Sequence, residues 1–184
     1  MTLVKQSMWP TIFLVGLLSG CNSSGTGSFQ IGEASDHVDC FTAMFPFDPP
    51  FLAARDRSGS TGIFIQSRGG NFQNVDLIYF ELFQPPPTIG EPLQTSPPGE
   101  EEGATILSEL QFGESCPDVL DSMWIDGTVT FDAFEDEQNG RVEGSVDGDV
   151  VSVVTGEPVA TGLTGDFSFL VKRGQPYEEF RRPQ

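Results

Sequence analysis

The sequence predicts a mainly β domain, an antiparallel β-sandwich or small barrel of about seven strands. Three observations carry this. From Asp36 onward apolar and polar residues alternate with a dominant period of two, the pattern of a strand with one dry face and one wet face. No amphipathic stretch at helical period exceeds about ten residues. The 21 glycines and 14 prolines supply many turns.

The first element is a removable leader, residues 1–20. Lys5 provides a basic start and Thr11–Leu18 (TIFLVGLL) a short apolar core. A membrane-spanning helix needs about 20 apolar residues, and this run is roughly half that length, as in a secretory signal peptide. The core ends in Leu18, Ser19, Gly20 and Cys21. An aliphatic residue, two small residues and a cysteine resemble the bacterial lipobox, a match confined to the leader and Cys21. The resemblance implies that the Cys21 sulfur carries lipid (palmitate-type acyl chains), that the chain is cut before it, and that the new amine is acylated in many Gram-negative bacteria. One acyl chain holds a protein only marginally, at about 0.8 kcal/mol per buried methylene, so two or three make a membrane anchor. Asn22, where an Asp would favour the inner membrane, leans the expectation towards the outer membrane. The alternative is an ordinary secretory signal with a chance cysteine.

Residues 21–35 read as the lipidated cysteine followed by a flexible tether rich in Gly and Ser. Residues 36–184 read as a single β domain. Cys40–Ala54 is apolar but broken by Pro46, Pro49 and Pro50, giving an edge strand and a loop. Ile63–Gln66 and Val75–Phe83 are strands, with Arg68-Gly69-Gly70-Asn71 as turn material. Val75–Phe83 is apolar on both parities, as in a central strand, with a short helix as the competing reading. Residues 84–103 form a Pro-rich loop; loops of that length are often functional or disordered.

Ala104, Ile106, Leu110 and Phe112 share a parity and mark the next strand. Residues 123–171 read as a three-stranded antiparallel meander. Ile125, Gly127, Val129, Phe131 and Ala133 alternate with Asp126, Thr128, Thr130 and Asp132. Asn139-Gly140 suits a tight turn needing positive φ. Val142, Gly144, Val146, Gly148, Val150 and Val154 then share one parity, in one long strand or in two if Asp147-Gly148 turns the chain. Thr155-Gly156-Glu157-Pro158 signals the last turn, and Leu163, Gly165, Phe167, Phe169 and Val171 alternate beyond it.

Composition excludes some partners. Without the leader's one lysine, 8 Lys plus Arg face 27 acids, a balance of −19. Such a surface repels nucleic acid and anionic head groups. With Cys21 taken by lipid, Cys40 and Cys116 remain. In an oxidising compartment they most simply form a disulfide; free buried thiols are the alternative. The loop would span 76 residues (116 − 40), for which chain entropy gives about 4–5 kcal/mol.

Candidate chemistry is sparse. His37 is the only histidine, lies at the tether junction, and argues against a serine triad or a zinc site. Glu135, Asp136, Glu137 and Asn139 gather around one turn and are weak calcium candidates, hard oxygen ligands without EF-hand spacing; solvated turns are the plainer reading. A carboxylate pair could hydrolyse glycosides, but among 27 acids some pair is inevitable. Trp124 falls on the polar parity of its strand, as a sugar platform or as cover for the end of the core. No catalytic residue and no cofactor is assigned.

The runs Ile125–Phe131, Arg141–Ser145 and Gly165–Phe169, each a β run with alternating glycine, resemble small uncharacterised β-rich lipoproteins of high-GC Gram-negative bacteria such as myxobacteria. The resemblance covers about a third of the chain and implies a β domain on a lipid anchor, with no activity attached. The expectation is therefore a lipid-anchored cell-envelope domain, non-catalytic, with a binding, adhesion or structural role. The alternatives are an anchored extracellular hydrolase working through carboxylates, and a calcium-stabilised binding module.

Overall fold

The computed structural model of the chain describes residues 25–34, 51–57, 60–67, 75–83, 86–100, 102–114, 122–135, 137 and 139–171. Cys21, His37, Cys40, Cys116 and Asp136 lie outside the described residues, and so does the pairing expected of Cys40 and Cys116. Ten strands and no helix lie among the described residues. They are β1 (Gly25–Gln30), β2 (Glu33–Ala34), β3 (Phe51–Arg57), β4 (Ser60–Gln66), β5 (Asp76–Leu82), β6 (Pro92–Ser96), β7 (Ile106–Phe112), β8 (Met123–Phe134), β9 (Arg141–Ser152) and β10 (Pro158–Leu170). The protein is mainly β, as expected, with more strands than the seven read from the sequence.

The strands form one curled, open sheet in the order β1-β10-β9-β8-β6-β7-β5-β4-β3, with β2 on β10. All pairings are antiparallel except β6 with β7. The curl is visible in the packing. Phe80 of β5 stacks on Phe167 of β10 with ring centroids 6.4 Å apart. Four strands separate β5 from β10; a flat sheet would hold them about 24 Å apart. The concave face therefore closes around a single core drawn from β1, β4, β5, β7, β8, β9 and β10. The sheet's end strands β1 and β3 approach each other.

Inside the curl, large and small residues alternate across strands. One row runs Gly27–Phe167–Gly144–Phe131, and the next runs Phe29–Gly165–Val146–Val129. Phe29 lies over Gly165, where a Cβ would overlap its ring. A Cβ on Gly144 would come within 3.0 Å of Phe167 Cζ. The glycines of the alternating β runs are thus the floor on which the phenylalanines lie. A tapering interior has room for one bulky side chain per neighbouring pair.

The meander of β8, β9 and β10 follows the sequence reading closely. Ile125, Val129, Phe131, Val142, Val146, Val150, Leu163, Phe167 and Phe169 are all buried. Asp147-Gly148 does not turn the chain: β9 is continuous over 12 residues. Val154 is 73% exposed, because the strand ends at Ser152 and the chain turns. The Ser152 hydroxyl accepts hydrogen bonds from the Val154 and Thr155 amides at 3.2 Å each. Asn139 has φ 64°, the left-handed conformation anticipated for it, in a connection longer than a two-residue turn. β5 is a strand, not a helix; it lies between β4 and β7 and buries side chains on both faces. On the convex face Phe64, Val75 and Leu77 form a small second cluster with Tyr79 against it.

Two expectations are corrected. The tether expected over 21–35 is not one across residues 25–34. β1 pairs residue for residue with β10 from Gly25↔Phe169 to Gln30↔Thr164, and Phe29 and Ile31 are buried in the core. Gly and Ser read as linker when taken alone, yet small residues also let an edge strand lie close to its neighbour. The Pro-rich stretch 84–103 is likewise not all loop: residues 92–96 are β6. β6 wedges between β7 and β8, antiparallel to β8 and parallel to β7.

The wedge creates a fork, because β7 and β8 pair directly only at Leu110↔Met123. Beyond it, backbone groups of β8 would be orphaned in a dry core. Side chains take their place. The Ile125 amide donates to Ser108 Oγ at 2.9 Å, and the Gly127 amide donates to Thr95 Oγ1 at 3.2 Å. Thr95 donates its own proton to the Ile125 carbonyl at 2.5 Å. Ser108 is fully buried and Thr95 nearly so. Leaving such a donor unsatisfied costs about 1–3 kcal/mol. Ser108→Ala and Thr95→Val are each expected to lose stability in that range in urea unfolding. A loss below about 0.5 kcal/mol, the usual effect of a neutral surface change, would refute this role.

Candidate functional site

The convex face of β1, β8, β9 and β10 is built from the residues that alternate with the core. Cross-strand partners share a face, so the pairing register aligns them in rows. One row is Ser28–Asp166–Ser145–Thr130 and the next is Gln30–Thr164–Asp147–Thr128. A shallow, open depression of about 460 Å³ lies over these rows, lined by Ser28, Gln30, Ser145, Asp147, Thr164 and Asp166, with backbone of Val146 and Gly165. All its side chains are short and polar.

The groove has an ordered polar chemistry. Gln30 Nε2 donates to Thr164 Oγ1 at 3.3 Å. Asp147 and Asp166 are exposed and sit diagonally on adjacent strands, about 7–8 Å apart in such a register. Among the described residues neither is hydrogen-bonded or ion-paired. At the next level Asp126 faces Asp149 across β8 and β9. Asp149 Oδ1 accepts the Gly162 amide at 3.0 Å, which fixes the β10 bulge beside it. At the other end Arg141 pairs with Glu143 at 2.8 Å and donates to Ser168 at 3.4 Å. The groove thus offers hydroxyls, one amide and two open carboxylates, a surface for hydrogen-bond donors or positive charge.

Of the calcium candidates, Glu135, Glu137 and Asn139 take part in shaping their turn. Glu135 Oε2 accepts the Arg141 amide at 3.0 Å, and the Glu135 amide donates to the Arg141 carbonyl at 2.9 Å. The Asn139 amide donates to the Val171 carbonyl at 2.7 Å, and the Gly140 amide to the Glu137 carbonyl at 2.8 Å. Among the described residues no three His, Cys, Asp or Glu side chains converge on a point that could hold a metal ion.

Two other carboxylate clusters stand out, and both do structural work. At one end of the sheet the Ser67 hydroxyl donates to Glu114 Oε2 at 2.6 Å. The Asp76 amide donates to Ser67 Oγ, and the Glu114 amide to Asp76 Oδ1, both at 3.1 Å. This network ties together the ends of β4, β5 and β7. On the convex face Glu81 accepts from the Ser60 hydroxyl at 2.7 Å and from the Tyr79 hydroxyl at 3.0 Å. The Tyr79 ring lies over Gly62, where a Cβ would meet it at 3.0 Å. Trp124 is half-buried opposite Val151, at the end of β8 remote from the groove rows.

Ser28 and Gln30 were not legible as groove residues in the sequence, because their segment reads as linker. Asp147, Thr164 and Asp166 were legible as wet-face residues through their parity. No protein-family model matches the chain, and neither curated proteins nor solved structures give a match.

Proposed function

We propose that the chain is a non-catalytic, lipid-anchored β domain of the cell envelope, on the outer membrane of a Gram-negative bacterium, that presents the wet face of β1, β8, β9 and β10 to a partner. One observation carries the reading: across β1, β8, β9 and β10 the apolar side chains fill the concave interior, while Asp126, Asp132, Asp147 and Asp166 stand exposed on the convex face. A sheet that spans a bilayer has the reverse polarity, and outward charges at its midplane are costly. This sheet is suited to water, so a membrane address requires a separate device, and the lipobox-like Leu18–Cys21 supplies one. The strand order further supports closure of the curl as a small barrel, antiparallel except where β6 lies beside β7. β1 and β3 run in opposite directions and would complete the ring made by β4, β5, β7, β6, β8, β9 and β10.

Intact-mass analysis of the mature protein, purified from membranes of a Gram-negative host, tests the anchor. The expected mass is that of residues 21–184 plus two or three acyl chains on Cys21. A water-soluble product with no acyl mass, or one cut elsewhere, refutes it.

A further inference from the structure

Building on the anchoring reading, we infer that one end of the curled sheet rests directly on the bilayer, with Ile89 and Leu170 as its membrane-contacting side chains. β1 begins at Gly25, four residues after Cys21. A fully extended chain spans at most about 3.6 Å per residue, so the start of β1 lies within about 14 Å of the lipidated residue. Gly25 pairs with Phe169, and Leu170 pairs with Arg141, so the end of β10 and the start of β9 share this level. β9 is 12 residues long, which separates the two ends of the sheet by about 40 Å. The anchor therefore selects which end faces the membrane, and the turn at Val154 points away.

A second observation falls on the same end. Outside β3, Ile89, Leu170 and Val154 are the large hydrophobic residues left exposed among the described ones, at 50%, 42% and 73%. Ile89 precedes Gly90, whose amide donates to the Phe131 carbonyl at 2.8 Å, so its loop sits beside the end of β8 that leads to Glu135. Leu170 closes β10 at the same end. Two of the three exposed apolar side chains thus flank the anchored rim. An apolar side chain held there can enter the headgroup boundary, about 5–10 Å deep, and adds to an acyl anchor. The rim also exposes Glu91, Asp132, Glu135 and Glu137, so the bilayer it fits is zwitterionic rather than anionic.

The test uses the full chain, matured and acylated, in vesicles of phosphatidylcholine with brominated acyl chains. Trp124→Phe removes the tryptophan of the mature chain, and Ile89→Trp, Leu170→Trp and Val154→Trp are then compared one at a time. Emission at positions 89 and 170 is expected to be quenched, and emission at 154 to be unchanged. Equal quenching at all three, quenching at 154 alone, or none anywhere overturns the inference. The mass of each variant separates the two ideas. An unacylated mature chain removes the anchor and this orientation with it; an acylated chain without contrast removes the orientation alone.

Discussion

Phe167→Ala is expected to cost about 3–5 kcal/mol, the range for truncating a buried phenylalanine. The ring sits at the centre of the curl. It lies 6.4 Å from Phe80, 6.1 Å from Phe131 and 6.4 Å from Phe169, centroid to centroid, and is 1% exposed. Phe80 belongs to β5 and Phe131 to β8, so the ring joins opposite walls of the interior. Its neighbours on the floor are glycines, which cannot swing in to fill the space, so the cavity persists and the cost stays high. Equilibrium unfolding in urea measures it. A loss below about 1.5 kcal/mol would mean that the walls are held together by something other than this aromatic contact.

Gly165→Val should also be damaging, by a smaller amount and for the opposite reason. Its Cβ would overlap the Phe29 ring, and overpacking of this kind typically costs about 1–3 kcal/mol. The damage should be local first. β1 is a six-residue edge strand, and the easiest relief is for it to leave β10. Amide exchange should therefore quicken across residues 25–30 while the β8–β9 ladder stays protected. The double variant Gly165→Val with Phe29→Ala should lose less than the sum of the two single losses, because removing the ring makes room for the new side chain. Strict additivity would show that Phe29 and Gly165 do not share this space.

The fork residues Ser108 and Thr95 probe a different interaction, hydrogen bonding in place of packing. They explain how a short strand can be inserted without leaving backbone groups dry and unpaired. Neither residue carries a signal in the sequence: Ser108 is one more small polar residue in a β run, and Thr95 falls in the stretch read as a Pro-rich loop. The groove residues were half-legible for a related reason. Parity alone assigns Asp147, Thr164 and Asp166 to the wet face, but only the pairing of β1 with β10 brings Ser28 and Gln30 beside them.

What the amino-acid order determined alone is local and periodic. Alternation over 123–171 is sufficient to mark a three-stranded meander and its buried faces, and Asn139-Gly140 marks the left-handed turn, because each of these depends on neighbours within a few residues; that β9 runs on through Asp147-Gly148 is settled by its pairing. The two-sided apolarity of Val75–Phe83 suits a central strand, but only its pairing between β4 and β7 decides against a short helix. Tertiary structure decided the rest. β1 (GTGSFQ) and β6 (PLQTS) lack a hydrophobic alternation strong enough to mark them as strands. They become strands because β10 and β8 offer backbone donors and acceptors at a sheet edge and at a fork, and unpaired backbone groups there would be costly. The same long-range pairings bring Phe80 to Phe167, set Phe29 on Gly165 and place Gly25, Leu170 and Ile89 at one end of the sheet. Such contacts join residues far apart in the chain, and no window along it contains them.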